Sequence, residues 1–172
     1  MSSLHIEPAQ PADVPMILQL IRELAEFEHL LHEVTATEAQ LHEGLFGPKP
    51  SAEVIMGRLP TGEVAGFALF FHNFSTFLAK PGIYLEDLYV RQQFRGQGYG
   101  EQLLRHLARL AVDRNCGRLE WSVLDWNQRA IDFYKSLGAV PMHEWTIYRV
   151  TGSALQKLGV DAHPNPDSNK SN

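Results

Sequence analysis

Three glycines at alternate positions, Gly96, Gly98 and Gly100, stand between a strand-forming stretch and an amphipathic helix. Glycine reaches backbone conformations closed to other residues and lets the chain approach a ligand closely. Ahead of a helix, such a run turns N–H groups inward at the positive end of the helix dipole. That makes a site for an anion such as a pyrophosphate. Spacing separates Arg95-Gly96-Gln97-Gly98-Tyr99-Gly100 from two other phosphate loops. A P-loop ends in Gly-Lys-Ser/Thr, which is absent, and a dinucleotide fingerprint needs its third glycine one position beyond Gly100. A plain strand-to-helix turn needs fewer than three glycines, so a ligand loop is the expectation.

Hydrophobic periodicity divides the rest of the chain. Residues 4–7 read as a first strand, stopped by Pro8 and Pro11. Asp13 is placed to cap a helix on which Ile17, Leu20, Ile21, Leu24 and Phe27 keep a three-four spacing. Thr37-Glu38-Ala39-Gln40 has the form of a capping box and opens a second helix, which Gly47-Pro48 ends. Residues 53–59 and 63–71 read as strands joined by a turn at Pro60-Thr61-Gly62, followed by a loop over 73–82 and a strand over 83–90. Beyond the glycine loop a helix is expected from Gly100 to about Asn115, with Gly117 as its stop, then a strand over 118–123. A helix over 128–137 ends at Gly138, and strands at 140–143 and 145–150 complete the pattern. The expectation is a mixed α/β (α+β) fold, a central sheet of about seven strands flanked by helices, in one domain over residues 1–160. Residues 161–172 carry too little apolar surface to bury and are expected to form a disordered tail.

The chain has 172 residues, enough for one domain with a real core. A net charge of −5 excludes a nucleic-acid binder that relies on a basic surface. Cys116 is the single cysteine, so no internal disulfide forms, and a small buried apolar role is expected for it. No signal peptide and no membrane-spanning run is visible, and a cytoplasmic protein is expected. His29 and His32 have no third ligand beside them, so no metal site is expected.

The run Leu85-Glu86-Asp87-Leu88-Tyr89-Val90, followed by Arg95-Gly96-Gln97-Gly98-Tyr99-Gly100, resembles the acetyl-coenzyme A motif of the GNAT superfamily. Trp126-Asn127, Ala130-Ile131 and Phe133-Tyr134-Lys135, closed by Leu137-Gly138, resemble the family's second signature. Within the superfamily, residues 22–28, Tyr84-Leu85-Glu86-Asp87 and Trp126-Asn127 are similar to the spermidine/spermine (diamine) and thialysine acetyltransferase branch. The resemblance runs from the first strand to Val150. It implies that backbone groups at Leu88, Tyr89 and Val90 hold the pantetheine arm of acetyl-coenzyme A. It further implies that Arg95, Gly96, Gln97, Gly98, Tyr99, Gly100 and Glu101 hold the pyrophosphate, aided by Asn127, Gln128, Arg129 and Ala130. Tyr134 would be the acid, and relatives pair as homodimers. Phe27, Glu28, Glu86, Asp87, Glu120, Trp121, Ser122 and Glu144 are the acceptor-side candidates. The chain departs from the polyamine enzymes at Phe27 (a tyrosine there), at Gln19 (an arginine) and at Phe77 (best matched to a loop tryptophan).

Direct transfer requires a neutral amine, a polarised thioester carbonyl and a proton for the departing thiolate. A phenol with a pKa near 10 stays protonated at neutral pH and can supply that proton to a thiolate. Tyr134 fits that part; packing beside Phe133 on an amphipathic helix is the other reading of the same residue. Glu86 and Asp87 are neighbours on a strand, so they point to opposite faces unless a bulge intervenes. Glu86 reads as the base, directly or through water, and Asp87 as a carboxylate that binds the acceptor. Glu26, Glu28 and Glu144 can attract a cation, although single carboxylates are more often solvated. Arg91, Arg95, Arg105 and Arg129 gather near the cofactor segments and form the expected positive counterpart. The expected function is acetyl transfer from acetyl-coenzyme A to the primary amine of a diamine, polyamine or lysine-like acceptor. Acetylation of a protein N-terminus or an antibiotic amine, and a non-catalytic acyl-coenzyme A-binding domain, are the alternatives.

Overall fold

A computed structural model describes residues 3–160; the segment expected as a disordered tail, 161–172, lies outside the described residues. The described chain divides after Leu124 into two compact units. The first contains β1 (His5–Pro8), α1 (Val14–Phe27), α2 (Glu38–Phe46), β2 (Glu53–Arg58), β3 (Val64–Ser75), β4 (Lys80–Val90), α3 (Tyr99–Asp113) and β5 (Leu119–Trp121). Five strands form one sheet in the order β1-β2-β3-β4-β5. The first four run antiparallel, β2 and β3 through a tight turn in which Gly62 has φ +86° and donates to Leu59 O. The helical crossover α3 returns the chain so that β5 lies parallel to β4.

Helices cover both faces of the sheet. Ile17 and Leu20 of α1 and Leu45 of α2 pack on Val54, Met56, Val64, Phe67 and Tyr89. Gly57, next to Met56, faces the other way: a Cβ there would stand 2.9 Å from Leu4 Cδ1 and 3.4 Å from Leu103 Cδ2 of α3. On that α3 face the paired residues Phe70 and Leu85, with Ile83, Leu103 and Leu107, are excluded from solvent. Each such side chain contributes about 1.5–3 kcal/mol relative to leaving it in water.

Several local expectations meet a different solution. Asp13 takes the N-cap position of α1, but its carboxylate accepts from Gln10 N–H and from Arg58 Nη2 (2.6 Å) instead of capping the helix. Thr37 does form the capping box with Gln40. The loop expected over 73–82 shrinks to a turn at 76–79, because β3 and β4 continue pairing out to Ser75 and Lys80. Helix α3 starts one residue early, at Tyr99, and Asn115 (φ +54°) ends it where Gly117 was expected. Asn115 N–H donates to Val112 O and Cys116 N–H to Ala111 O, the double closure of a Schellman motif.

The second unit holds α4 (Gln128–Ser136) and α5 (Gly152–Val160), the latter not anticipated in the sequence pattern. Asn127 Oδ1 caps α4 by accepting from Ala130 N–H at 3.2 Å, and Gly138 at φ +87° ends it as expected. The strands expected at 140–143 and 145–150 are absent, so among the described residues the sheet has five strands and not about seven. Alternation marks a segment able to be a strand, but a ladder partner makes it one. Val140, Met142, Trp145, Ile147 and Tyr148 instead stay exposed.

Candidate active site

Strand β4 carries an irregularity that sets the site. Leu69 pairs with Asp87 and the next residue, Phe70, pairs with Leu85, so Glu86 is an extra residue in the ladder. Such a bulge sets two residues against one and re-aims the side chains. Leu85 therefore faces α3 with Phe70, whereas Asp87 and Tyr89 share the α1 face with Leu69 and Phe67. The two carboxylates feel each other directly. Burial pushes Asp87 up to about 6, and the charges of Glu86 and Glu28 push in the same direction. Glu28, just past the end of α1, is itself raised by burial. Glu86, Asp87 and Glu28, three of the acceptor-side candidates, thus form one electrostatic group.

Beyond Leu85 the pairing with β5 stops, so β4 from Glu86 to Val90 has an open edge among the described residues. Arg91 N–H donates to Ala65 O of β3, which directs the backbone groups of alternate residues, Val90 and Leu88, toward that edge. Val90 O accepts from Arg95 Nε at 3.0 Å. The Tyr89 side chain, by contrast, is 7% exposed and belongs to the core, and its backbone faces Phe67 of β3, away from the open edge.

The glycine loop then delivers the chain into α3. Gly96 (φ +81°) and Gly98 (φ +79°) occupy the left-handed region, which explains two of the three glycines by backbone geometry. Gly100 has no such reason. It lies in the first turn of α3, and a Cβ there would meet only Val90 Cγ2, at an ordinary 3.8 Å. The fold would accept a side chain at 100. The first intrahelical bond is Gln102 N–H to Gly98 O, which leaves the N–H groups of Gly98, Gly100 and Glu101 with no carbonyl one turn earlier. Tyr99 is 2% exposed and anchors the turn in the core.

Around the loop, the positive charges are less available than their sequence clustering implies. Arg91 is gripped by Glu23 through Nε (3.1 Å) and Nη2 (2.8 Å), and Arg105 pairs with Glu101 at 2.7 Å. Arg95 lies over the Phe27 ring, with Cζ 4.3 Å from its centroid, and 5.4 Å from that of Tyr89. Burial works against the Glu23 carboxylate, but hydrogen bonds from Arg91 and Gln19 still hold it below its usual range. Glu23, Glu26, Phe27, Tyr89, Arg91, Gln92, Gln93 and Arg95 line a pocket of about 490 Å³. Glu23 was not singled out in the sequence; its place one helical turn before Phe27 was the available signal.

On β5 the parallel register sets Glu120 beside Tyr84 and Trp121 beside Leu85. Glu120 and Tyr84 therefore share the face that carries Asp87, whereas Trp121 is on the α3 face. Tyr84 Oη meets Ser122 Oγ at 2.7 Å and its ring stacks at 5.2 Å on Phe71. Glu120 is engaged by Arg118 Nε (2.8 Å) and Asn73 Nδ2 (2.9 Å). Tyr84, which the sequence offered only as part of a motif, is the side chain that ties β4 to this end of β5.

In the second unit Tyr134 lies on α4 beside Phe133, with ring centroids 5.4 Å apart. Gln128 donates to Asp132, and Arg129 is exposed in the first turn of α4. Glu144 is exposed on a non-strand segment, where a strand had been expected to begin. Among the described residues no group of three or more His, Cys, Asp or Glu is placed to hold a metal ion. No described helix is long and apolar enough to cross a membrane.

Comparison with known proteins meets this geometry. Residues 15–139 match the model of the Acetyltransferase (GNAT) family. The thialysine N-epsilon-acetyltransferase of Bos taurus is 38% identical over 92% of this chain and 98% of its own. The L-ornithine N5-acetyltransferase NATA1 of Arabidopsis thaliana is 36% identical over 90% of this chain and 87% of its own. Among solved structures, the integron cassette protein VCH_CASS6 of V. cholerae superposes with a TM-score of 0.77 at 30% identity, covering 93% of this chain and 99% of that one. A glycine loop ahead of α3, a half-open β4 and this breadth of similarity identify the chain as a member of the GNAT acetyltransferase family, an acyl-coenzyme A-dependent N-acetyltransferase.

Proposed function

We propose that the protein moves the acetyl group of acetyl-coenzyme A to a primary amine of a small cationic acceptor, a diamine, polyamine or lysine-like molecule. The observation that carries this reading is the acidic group at the β4 bulge, where the largely buried Asp87 feels the charges of Glu86, beside it in the strand, and of Glu28, just past α1. A cation with a second charged group is the natural partner of such a set. The named acceptors of two relatives, thialysine and ornithine, both carry a side-chain amine besides the α-amine.

In this proposal the amine arrives as an ammonium and yields a proton to Glu86, directly or through water. Its nitrogen then forms a bond to the thioester carbonyl carbon as the carbon–sulfur bond breaks. Tyr134, by its place in the family's second signature, gives the departing thiolate its proton, and the second proton that the nitrogen sheds as the amide forms passes through solvent to restore the phenol. Asp87 and Glu28 hold the acceptor's distant positive end. Leu88 and Val90 present backbone groups to the pantetheine arm, and the turn from Gly96 to Glu101 meets the pyrophosphate with backbone N–H groups. Residues 1–160 serve as one acetyltransferase domain.

A thiol-release assay tests the acceptor. A diamine should be acetylated with a higher kcat/KM than a monoamine of equal length, and added salt should shrink the difference. Equal kcat/KM for the two at low salt would refute the cationic-acceptor reading.

A further inference from the structure

Arg95 opens the glycine loop, and a guanidinium beside a phosphate site is ordinarily expected to reach for the phosphate. Its side chain is occupied elsewhere. Nε donates to Val90 O at 3.0 Å, and the guanidinium carbon sits 4.3 Å over the Phe27 ring and 5.4 Å from the Tyr89 ring. Behind it, Glu23 clamps Arg91 through two hydrogen bonds, four residues before Phe27 on the same helix. The end of α1 therefore grips both arginines that flank the Gln92–Phe94 turn. From that turn the chain passes directly into Gly96 and Gly98, whose left-handed backbone has little stiffness of its own. A loop that binds through backbone N–H groups must have them aimed in advance, because ordering on binding subtracts from affinity.

We propose that Phe27 is a positioning residue for the coenzyme loop: its ring holds the Arg95 guanidinium and so sets the direction of the backbone from Gly96 to Gly100. The residue assigned to the acceptor side by resemblance thereby acts on the cofactor side. Phe27 is 39% exposed, so little core packing depends on it. Its neighbour Glu28 belongs to the group around Asp87, so the same helix end serves both substrates. The proposal rests on the reading of 96–101 as the loop that binds acetyl-coenzyme A.

Phe27→Leu removes the π face and keeps an apolar side chain; Phe27→Tyr keeps both. A cation–π contact between the exposed and desolvated limits is worth enough to change an equilibrium roughly 3- to 10-fold. Calorimetric titration with acetyl-coenzyme A should show that weakening in Phe27→Leu, with Phe27→Tyr within about twofold of wild type. In steady state the loss should fall on KM for acetyl-coenzyme A, with kcat changed less than about twofold. The Arg95 Nε–H resonance, assigned with Arg95→Lys, should lose its ring-current shift in Phe27→Leu and keep it in Phe27→Tyr. Wild-type affinity in a folded Phe27→Leu, or an equal loss in Phe27→Tyr, would overturn the positioning role alone. Failure of the wild-type protein to bind acetyl-coenzyme A would overturn the transferase reading and this role with it.

Discussion

Replacing Gly100 by alanine separates what the fold needs from what the ligand needs. Gly100 is the second residue of α3, and the nearest atom to an added Cβ is Val90 Cγ2 at 3.8 Å. The methyl group therefore fits, and it restricts the unfolded chain more than it restricts the folded one. Gly→Ala at a compatible helical site stabilises by about 0.4–1 kcal/mol, and the lower end applies at a first turn. For a chain of this size that raises Tm by roughly 1–2 °C. Binding should move the other way. An oxygen accepting from the Gly100 N–H would lie about 2.9 Å from the nitrogen, and the rest of its phosphate would then press on the Cα face where an added Cβ stands. Loss of one hydrogen bond to a charged group is worth about 1.5–3 kcal/mol, or roughly a 10- to 150-fold weaker Kd. A thermal melt and a calorimetric titration with acetyl-coenzyme A on one preparation read both numbers. A raised Tm with affinity within twofold of wild type would refute a ligand at Gly100. A lowered Tm would refute the claim that the fold has room there.

Asp87 has a folded-state pKa of about 6, above its ordinary 3.8, so the folded chain binds the extra proton between those values. Stability should fall as pH rises through that window, and Asp87→Asn should flatten the fall and stabilise at pH 7.5 by up to roughly 3 kcal/mol. Denaturant melts at pH 4.5 and 7.5 check this, and an unchanged pH slope in the variant would refute it. Tyr134→Phe should lower kcat by about 10²–10⁴ while acetyl-coenzyme A binding survives; single-turnover rates near wild type would return Tyr134 to a packing role.

Helices α1 to α4 and most strands were legible because their signals are local, whereas α5 was not. The three-four spacing from Ile17 to Phe27, the capping box at Thr37 and the left-handed Gly138 each act within a few residues. The glycine loop was legible for the same reason. What could not be read was decided by partners distant in the chain. Asp13 has the right chemistry for a cap, yet Arg58, 45 residues away, claims its carboxylate. Arg91 and Arg95 looked like charges waiting for an anion until Glu23 and Phe27 came to meet them from α1. The segment 140–150 alternates well enough, but alternation says nothing about whether a ladder stands beside it. Glu86 and Asp87 were recognised as a pair that only a bulge could bring to one side, and the bulge itself appears only in the register of β3 against β4.

That extra residue stands outside the alternation that the rest of β4 keeps. Ile83, Leu85, Asp87 and Tyr89 lie at every second position, as if on one wall, but the first two belong to one room and the last two to another. Deleting Glu86 would leave both rooms standing: Leu85 opposite Phe70 and Asp87 opposite Leu69 would become neighbours on a regular strand, and neighbours on a strand face opposite ways. The ladder can therefore spare residue 86, and what that residue adds to β4 is a side chain and a local twist.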